Sequence, residues 1–118
     1  MKLIKLGADP DVIRLRCDGI ISQGEFEAGS DPMEKALGPG CFTNKVLISL
    51  DKTQSIDSSG VSWLIICHKH FIEGGGTLVI HSVPPLVDQV FKLLRMYMVL
   101  NIAPGEKEAR AMAQGGKG

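Results

Sequence analysis

One short stretch of the chain carries residue types that could do chemistry, the tetrapeptide Asp57-Ser58-Ser59-Gly60. A serine hydroxyl can act as a nucleophile or accept a phosphate. An aspartate carboxylate can cap a helix, so we expect Asp57 to do so, with Ser58 and Ser59 in the first turn near the positive end of the dipole. Gly60 permits close approach of the sheet or of a partner's backbone. Taken alone, these residues also fit a plain helix cap with a packing glycine.

An enzymatic role would make Ser58 or Ser59 a nucleophile and one of the three histidines its base. The sequence lacks the Gly-x-Ser-x-Gly turn that presents such a serine in many hydrolases. The run Gly74-Gly75-Gly76 follows a predicted helix and precedes a strand, whereas phosphate-binding loops run from strand to helix. Nucleotide binding would therefore depend on the helix N-terminus at Ser58 alone. We expect a binding protein and not an enzyme, with a small serine hydrolase as the weaker alternative.

A metal site is the other chemistry that the residue types suggest, because Cys67, His68 and His70 lie close in sequence. On a helix Cys67 and His70 share a side, while His68 points about 100° away from Cys67. His81 lies on a different predicted element. We therefore expect structural roles for these side chains, and neither a metal nor a cofactor.

The composition indicates one globular domain. Of 118 residues, 44% are hydrophobic and 22% are charged, and thirteen basic side chains balance thirteen acidic ones. No net charge attracts nucleic acid or anionic lipid, and no apolar run has the length of a membrane span. The start of the chain is better interpreted as a strand than as a secretory signal, so the expected location is the cytoplasm. The odd number of widely spaced cysteines predicts buried, reduced thiols at Cys17, Cys41 and Cys67.

Strands and helices alternate along most of the chain. Strands are predicted at Lys2–Leu6, Val12–Cys17, Lys45–Leu50, Thr77–His81 and Val99–Ile102. Helices are predicted at Pro32–Leu37 after an Asp31 cap, Val61–Glu73, Leu86–Met96 and Glu106–Ala113. Asp51–Ser55 is expected to be a polar loop. Helix-length crossovers imply parallel pairing, except for the two opening strands, which we expect to pair antiparallel. The fold class is therefore a single-domain α/β protein, a mixed β-sheet with helices packed mainly on one face.

Two predicted helices carry large apolar residues. In the helix after Pro84-Pro85, one stripe contains Leu86, Val90, Leu93, Leu94 and Tyr97. In the helix after Gly60, Trp63 lies on the side opposite Leu64 and Ile65. A core position and a role as partner anchor beside the serines both remain open for Trp63.

The stretch Val46–Leu50, followed by Ile56–Val61 with its Asp-Ser-Ser-Gly motif, resembles the STAS domain family, which includes bacterial anti-sigma-factor antagonists. Gly74–Ile80 and Pro84–Leu100 are similar to later helix and strand passages of that family. The resemblance covers roughly residues 45–113 by motif and the first half by element order. The corresponding STAS-like domain would span residues 1–114, and residues 115–118 would form a flexible tail.

The resemblance implies that a partner anti-sigma factor with serine kinase activity phosphorylates Ser58. The unphosphorylated form would bind that partner around Asp57, Ser58, Ser59, Gly60 and Trp63, and phosphorylation would release it, so that transcription is regulated indirectly. A phosphatase would reverse the modification, and the chain could form a homodimer. The alternatives are a stressosome-like STAS scaffold and a nucleotide-binding STAS module. The stretch Asp18–Glu25 is looser than the family's Gly-Glu-Leu-Asp pattern, and the glycine-rich segment Gly29–Gly40 predicts a short or displaced first helix.

Overall fold

The computed structural model describes residues 1–9, 12–22 and 31–115. The strands are β1 (Lys2–Ala8), β2 (Ile13–Ile21), β3 (Lys45–Ser49), β4 (Thr53–Ile56), β5 (Thr77–His81) and β6 (Asn101–Ala103). The helices are α1 (Pro32–Leu37), α2 (Ser58–Gly74), α3 (Pro85–Leu93) and α4 (Glu106–Gln114), with 3-10 turns at Cys41–Thr43 and Met96–Met98. The predictions for residues 23–25, for residues 29–30 and for tail residues 116–118 lie outside the described residues.

The six strands of the described residues form one sheet, in which five follow the order β1-β2-β3-β5-β6 and β4 pairs with β2. As predicted, β1 and β2 pair antiparallel, and β3, β5 and β6 continue the sheet in parallel. Each parallel connection crosses back over the sheet through a helix, which places the carboxyl ends of β2, β3, β5 and β6 at one edge. The segment that carries Ser58 leaves the sheet at this edge.

The polar stretch that we expected to be a loop contains strand β4. β4 pairs in parallel with the second half of β2, with Ile21 opposite Ile56, and a register shift separates Gly19 from Ile20. The Thr53 hydroxyl is buried and donates to the Cys17 carbonyl oxygen at 2.8 Å. The loop prediction was therefore wrong, because the backbone and side-chain bonds to β2 hold a segment whose own sequence is weakly strand-like.

The sheet buries two separate cores, one on each face. Helices α1, α2 and α3 cover the larger core, to which β3 contributes Val46 and Ile48. Leu47 points to the other face, where it packs with Val79, Ala103, Ala109 and Ala113. The small side chains of Ala109 and Ala113 belong to α4, which is the one helix on that face within the described part of the chain. Three of the four helices share one face, so the predicted architecture is confirmed.

Ion pairs connect α4 to the antiparallel strands. Arg110 on α4 contacts the Asp9 carboxylate just after β1 at 2.6 Å, and Glu106 contacts Arg14 on β2 at 3.6 Å. Arg110 also lies 3.6 Å from Glu106, so the four side chains form one partly exposed network. Because partly exposed pairs are screened by water, we ascribe the attachment of α4 mainly to its buried alanines.

The fully buried residues of α3 are not those of the apolar stripe found in the sequence. That stripe contains Leu86, Val90, Leu93, Leu94 and Tyr97. Val90 packs against the larger core, whereas Leu86 is 65% exposed and Leu93 is 81% exposed. Val87 and Phe91 are fully buried, on a helix that packs against β4.

The end of α3 also falls earlier than predicted. Arg95 has a left-handed backbone with φ of 58°, which stops the helix before the 3-10 turn at Met96–Met98. The last strand consequently begins at Asn101, two residues later than predicted. Among the described residues, no helix combines the length and apolar character needed to cross a membrane.

Candidate functional site

The Asp57 carboxylate organises the first turn of α2, as predicted. Asp57 Oδ1 accepts a hydrogen bond from the Gly60 backbone N–H at 2.9 Å and another from the Ser59 hydroxyl at 2.6 Å. The Ser59 bond is the main cause that lowers the Asp57 pKa to about 2, and the Gly60 N–H and the Ser22 hydroxyl lower it further. The carboxylate therefore carries a full negative charge at neutral pH.

The two adjacent serines occupy different environments. Ser58 is the first residue of α2 and is exposed, and its hydroxyl makes no hydrogen bond within the described part of the chain. The Ser59 hydroxyl donates to Asp57 and lies 3.4 Å from the Ser22 hydroxyl, so it is partly buried. A macromolecular partner or a modifying enzyme can thus reach the Ser58 oxygen more readily than the Ser59 oxygen.

Ser22 joins the site although no sequence motif pointed to it. It follows the last residue of β2, which lies opposite Ile56 at the end of β4. The parallel pairing of these two strands brings Ser22 beside the start of α2. Only the tertiary register could reveal this contact, since 37 residues separate Ser22 from Ser59.

Gly60 is a packing residue in the structure. A Cβ atom at this position would lie 2.1 Å from the Ile21 carbonyl oxygen and 2.8 Å from its carbon. The Asp57 backbone N–H also donates to that oxygen, at 3.3 Å. Because Gly60 has no side chain, the first turn of α2 packs directly on the end of β2. The sequence left open whether the sheet or a partner's backbone approaches Gly60, and in the structure the sheet does.

Trp63 belongs to the core. Its side chain is 5% exposed and lies within the larger hydrophobic cluster. Of the two roles left open by the sequence, the structure supports the core position.

The histidines and cysteines near α2 serve packing. Cys67 is fully buried, and burial raises the pKa of its thiol. His70 makes an edge contact with Phe42 at a ring-centroid distance of 5.0 Å, and His81 Nδ1 lies 2.8 Å from the Ser82 hydroxyl. Within residues 1–9, 12–22 and 31–115, no group of three potential ligands could hold a metal ion.

The three cysteines agree with the prediction of reduced, buried thiols. Cys17, Cys41 and Cys67 are all free and buried. Burial raises the pKa of the Cys17 thiol to about 11, and it also raises the pKa of Cys41. Thiols in this state are protonated at neutral pH and poorly reactive.

The fold, the capped serine turn and the sheet topology define a domain class, and comparison with known proteins identifies it. The STAS domain family model matches residues 6–109. The chain therefore belongs to the STAS domain family.

The solved structures that share the fold include those of two proteins. The Thermotoga maritima protein TM1081, described as a candidate anti-sigma factor antagonist, superposes with a TM-score of 0.77 at 19% identity, and the match covers 92% of each chain. The anti-sigma factor antagonist SpoIIAA, in its unphosphorylated form, superposes with a TM-score of 0.68 at 16% identity, and the match covers 96% of each chain. The solution structure of TM1081 matches with a TM-score of 0.64 at 19% identity, over 92% of this chain and 86% of that one. At these identities the comparison shows the fold.

Proposed function

We propose that this chain is a phosphorylatable protein-binding switch of the anti-sigma-factor-antagonist type. In its unmodified form it binds an anti-sigma factor that is also a serine kinase, and phosphorylation of Ser58 releases that partner. Transcription is then regulated indirectly, through the sigma factor that the partner holds or frees. The observation that carries the proposal is the exposed Ser58 hydroxyl, which makes no hydrogen bond to any described residue and lies beside a rigidly held Asp57 carboxylate.

Electrostatics explains why a phosphate at Ser58 would prevent docking. Phosphorylation adds about 1.5 to 2 negative charges at neutral pH. Asp57, whose pKa is about 2, already contributes a full negative charge next to this position. A partner that packs against the turn would have to desolvate both groups, and any acidic residue it presents would be repelled. The helix itself tolerates the phosphate, because negative charge is favourable at a helix N-terminus.

The geometry favours Ser58 over Ser59 as the phosphate acceptor. Transfer to Ser59 would break its hydrogen bond to Asp57 and would place two anions within contact distance. Transfer to Ser58 leaves the cap intact. The Asp57 carboxylate also occupies the Gly60 N–H that a nucleotide phosphate would need, which counts against the nucleotide-binding alternative.

The test is a binding titration with a purified anti-sigma-factor kinase as partner, using the wild type, Ser58→Ala and Ser58→Asp. We expect Ser58→Ala to bind as the wild type does, and Ser58→Asp to bind at least about tenfold more weakly. Ser62→Asp is a matched control, because Ser62 is also exposed on α2, one turn further along. All variants should retain the wild-type thermal melt.

Kinase treatment provides the second arm. Incubation with the partner and ATP should add one phosphate, which mass spectrometry should locate at Ser58. Modification of Ser59 alone, or equally tight binding by Ser58→Asp and Ser58→Ala, would contradict the proposal. If Ser62→Asp lost as much partner binding as Ser58→Asp, the loss would come from any negative charge added to α2, and not from a charge at the phosphate acceptor.

A further inference from the structure

A set of exposed apolar side chains lies at the end of the molecule remote from Ser58. We call it the amino-end patch, and it consists of Ile72, Leu93, Leu94, Met98 and Val99. Leu93 and Met98 are 81% and 82% exposed, and Ile72 is 63% exposed. Exposed apolar residues are normal when they occur singly, but a group of this kind marks an interaction surface.

The patch is built where α2 ends and α3 turns back. Ile72 and Val99 line one groove of about 320 Å³, together with Thr77 and Asn101 at the starts of β5 and β6. Leu93 and Leu94 end α3, and Met98 closes the following 3-10 turn. Ile72 lies about 21 Å from Ser58 along the axis of α2, at a rise of about 1.5 Å per residue.

The charges around the patch are mainly positive. Arg95 lies within it, Lys69 is one turn before Ile72 on α2, and Lys45 is paired in register with Thr77, which lines the groove. None of these three cations has an ion-pair partner in the described part of the chain. Glu73 is the one carboxylate on the last turn of α2, and Lys92 is already paired with Asp88 at 3.0 Å.

The backbone at Arg95 supports a role for its side chain. Arg95 adopts a left-handed conformation, which disfavours residues other than glycine by roughly 1 kcal/mol. Its side chain makes no compensating ion pair among the described residues. Strain of this kind at an exposed position points to function, because a glycine would serve the turn better.

We propose that the amino-end patch binds an acidic amphipathic helix of a protein partner. The apolar side of such a helix would cover Met98, Val99 and Ile72, and its carboxylates would pair with Arg95, Lys69 and Lys45. A second copy of this chain fits less well, because a symmetric contact would bring the two sets of cations together. A nucleic acid fits less well because it offers no apolar face. This surface is separate from the Ser58 turn and does not depend on the function proposed for that turn.

The experiment uses the full chain, labelled with ¹⁵N, and a synthetic amphipathic helical peptide with leucines on one face and glutamates on the other. Two control peptides are a scrambled version without an apolar face and a version with lysine in place of glutamate. We expect amide shifts confined to the end of α2, to residues 92–99 and to the starts of β3 and β5, with no shifts at residues 57–60. Met98→Glu and Arg95→Glu should each weaken binding by about tenfold or more.

Leu86→Glu is the matched control, because Leu86 is an exposed leucine of α3 outside the patch, and it should leave the peptide affinity unchanged. Ser58→Asp should also bind the peptide normally, which separates this proposal from the switch. Equal binding of the lysine or scrambled peptide would overturn it, as would unchanged affinity in Arg95→Glu. A dimer in sedimentation that dissociates on Met98→Glu would also overturn it, because the occupant would then be a second copy.

Discussion

Gly60→Ala tests the close contact through which the first turn of α2 packs on the sheet. The new Cβ would start 2.1 Å from the Ile21 carbonyl oxygen, whereas ordinary contacts begin near 3.4 Å. Helix and strand would have to separate by about 1 Å, and overpacking of this kind typically costs about 1–3 kcal/mol. The hydrogen bond from Asp57 N–H to Ile21, at 3.3 Å, would weaken as well, which adds about 1 kcal/mol.

One effect opposes this loss. Alanine is a better helix former than glycine by about 1 kcal/mol. The net change should therefore be a destabilisation of about 1–3 kcal/mol. In urea, with an m-value of about 1.5–2 kcal/mol/M, the unfolding midpoint should fall by about 0.5–2 M. Ser62→Ala, a substitution on the exposed side of the same helix, should stay within about 0.5 kcal/mol of the wild type. If Gly60→Ala unfolds at or above the wild-type urea concentration, the close approach to Ile21 does not govern this turn.

Two further predictions concern single side chains. Arg95→Gly should raise the free energy of unfolding by about 1 kcal/mol in urea, because it relieves the left-handed backbone, whereas Arg95→Ala keeps the strain and should not stabilise the protein. Ser59→Ala should raise the Asp57 pKa from about 2 towards its ordinary value, as measured by a ¹³C carboxylate NMR titration, since the Ser59 bond is the main cause of its depression. The depressed pKa stabilises the fold above the unfolded value of about 3.9 and this stabilisation is lost as the pH falls towards the folded value, so acidification should destabilise Ser59→Ala less than the wild type.

The sequence predicted the parts of the fold that local rules determine. β5 falls at its predicted residues, and Asp31 and Asp57 cap α1 and α2 as expected. These features depend on residue type and position within a few residues of one another. The antiparallel start and parallel remainder of the sheet followed from connection lengths.

Features that depend on distant partners were missed. β4 forms because β2 extends beyond Gly19 and offers it a partner, and nothing within Thr53–Ile56 reveals that extension. α3 has two apolar faces, and only the packing of the whole layer selects Val87 and Phe91. The candidate site shows the same division: the cap at Asp57 was predicted from neighbours in sequence, whereas the contribution of Ser22 was not.

The Asp57 cap has a consequence for the reversibility of the proposed switch. Its carboxylate already holds the Gly60 N–H, and its own backbone N–H is bound to the end of β2. These two donors are therefore not available to a phosphate on Ser58, which lies on the exposed side of the turn. Such a phosphate stays accessible to hydrolysis by a phosphatase. The lifetime of the released state would then be set by the phosphatase, and not by a structural rearrangement that must first be undone.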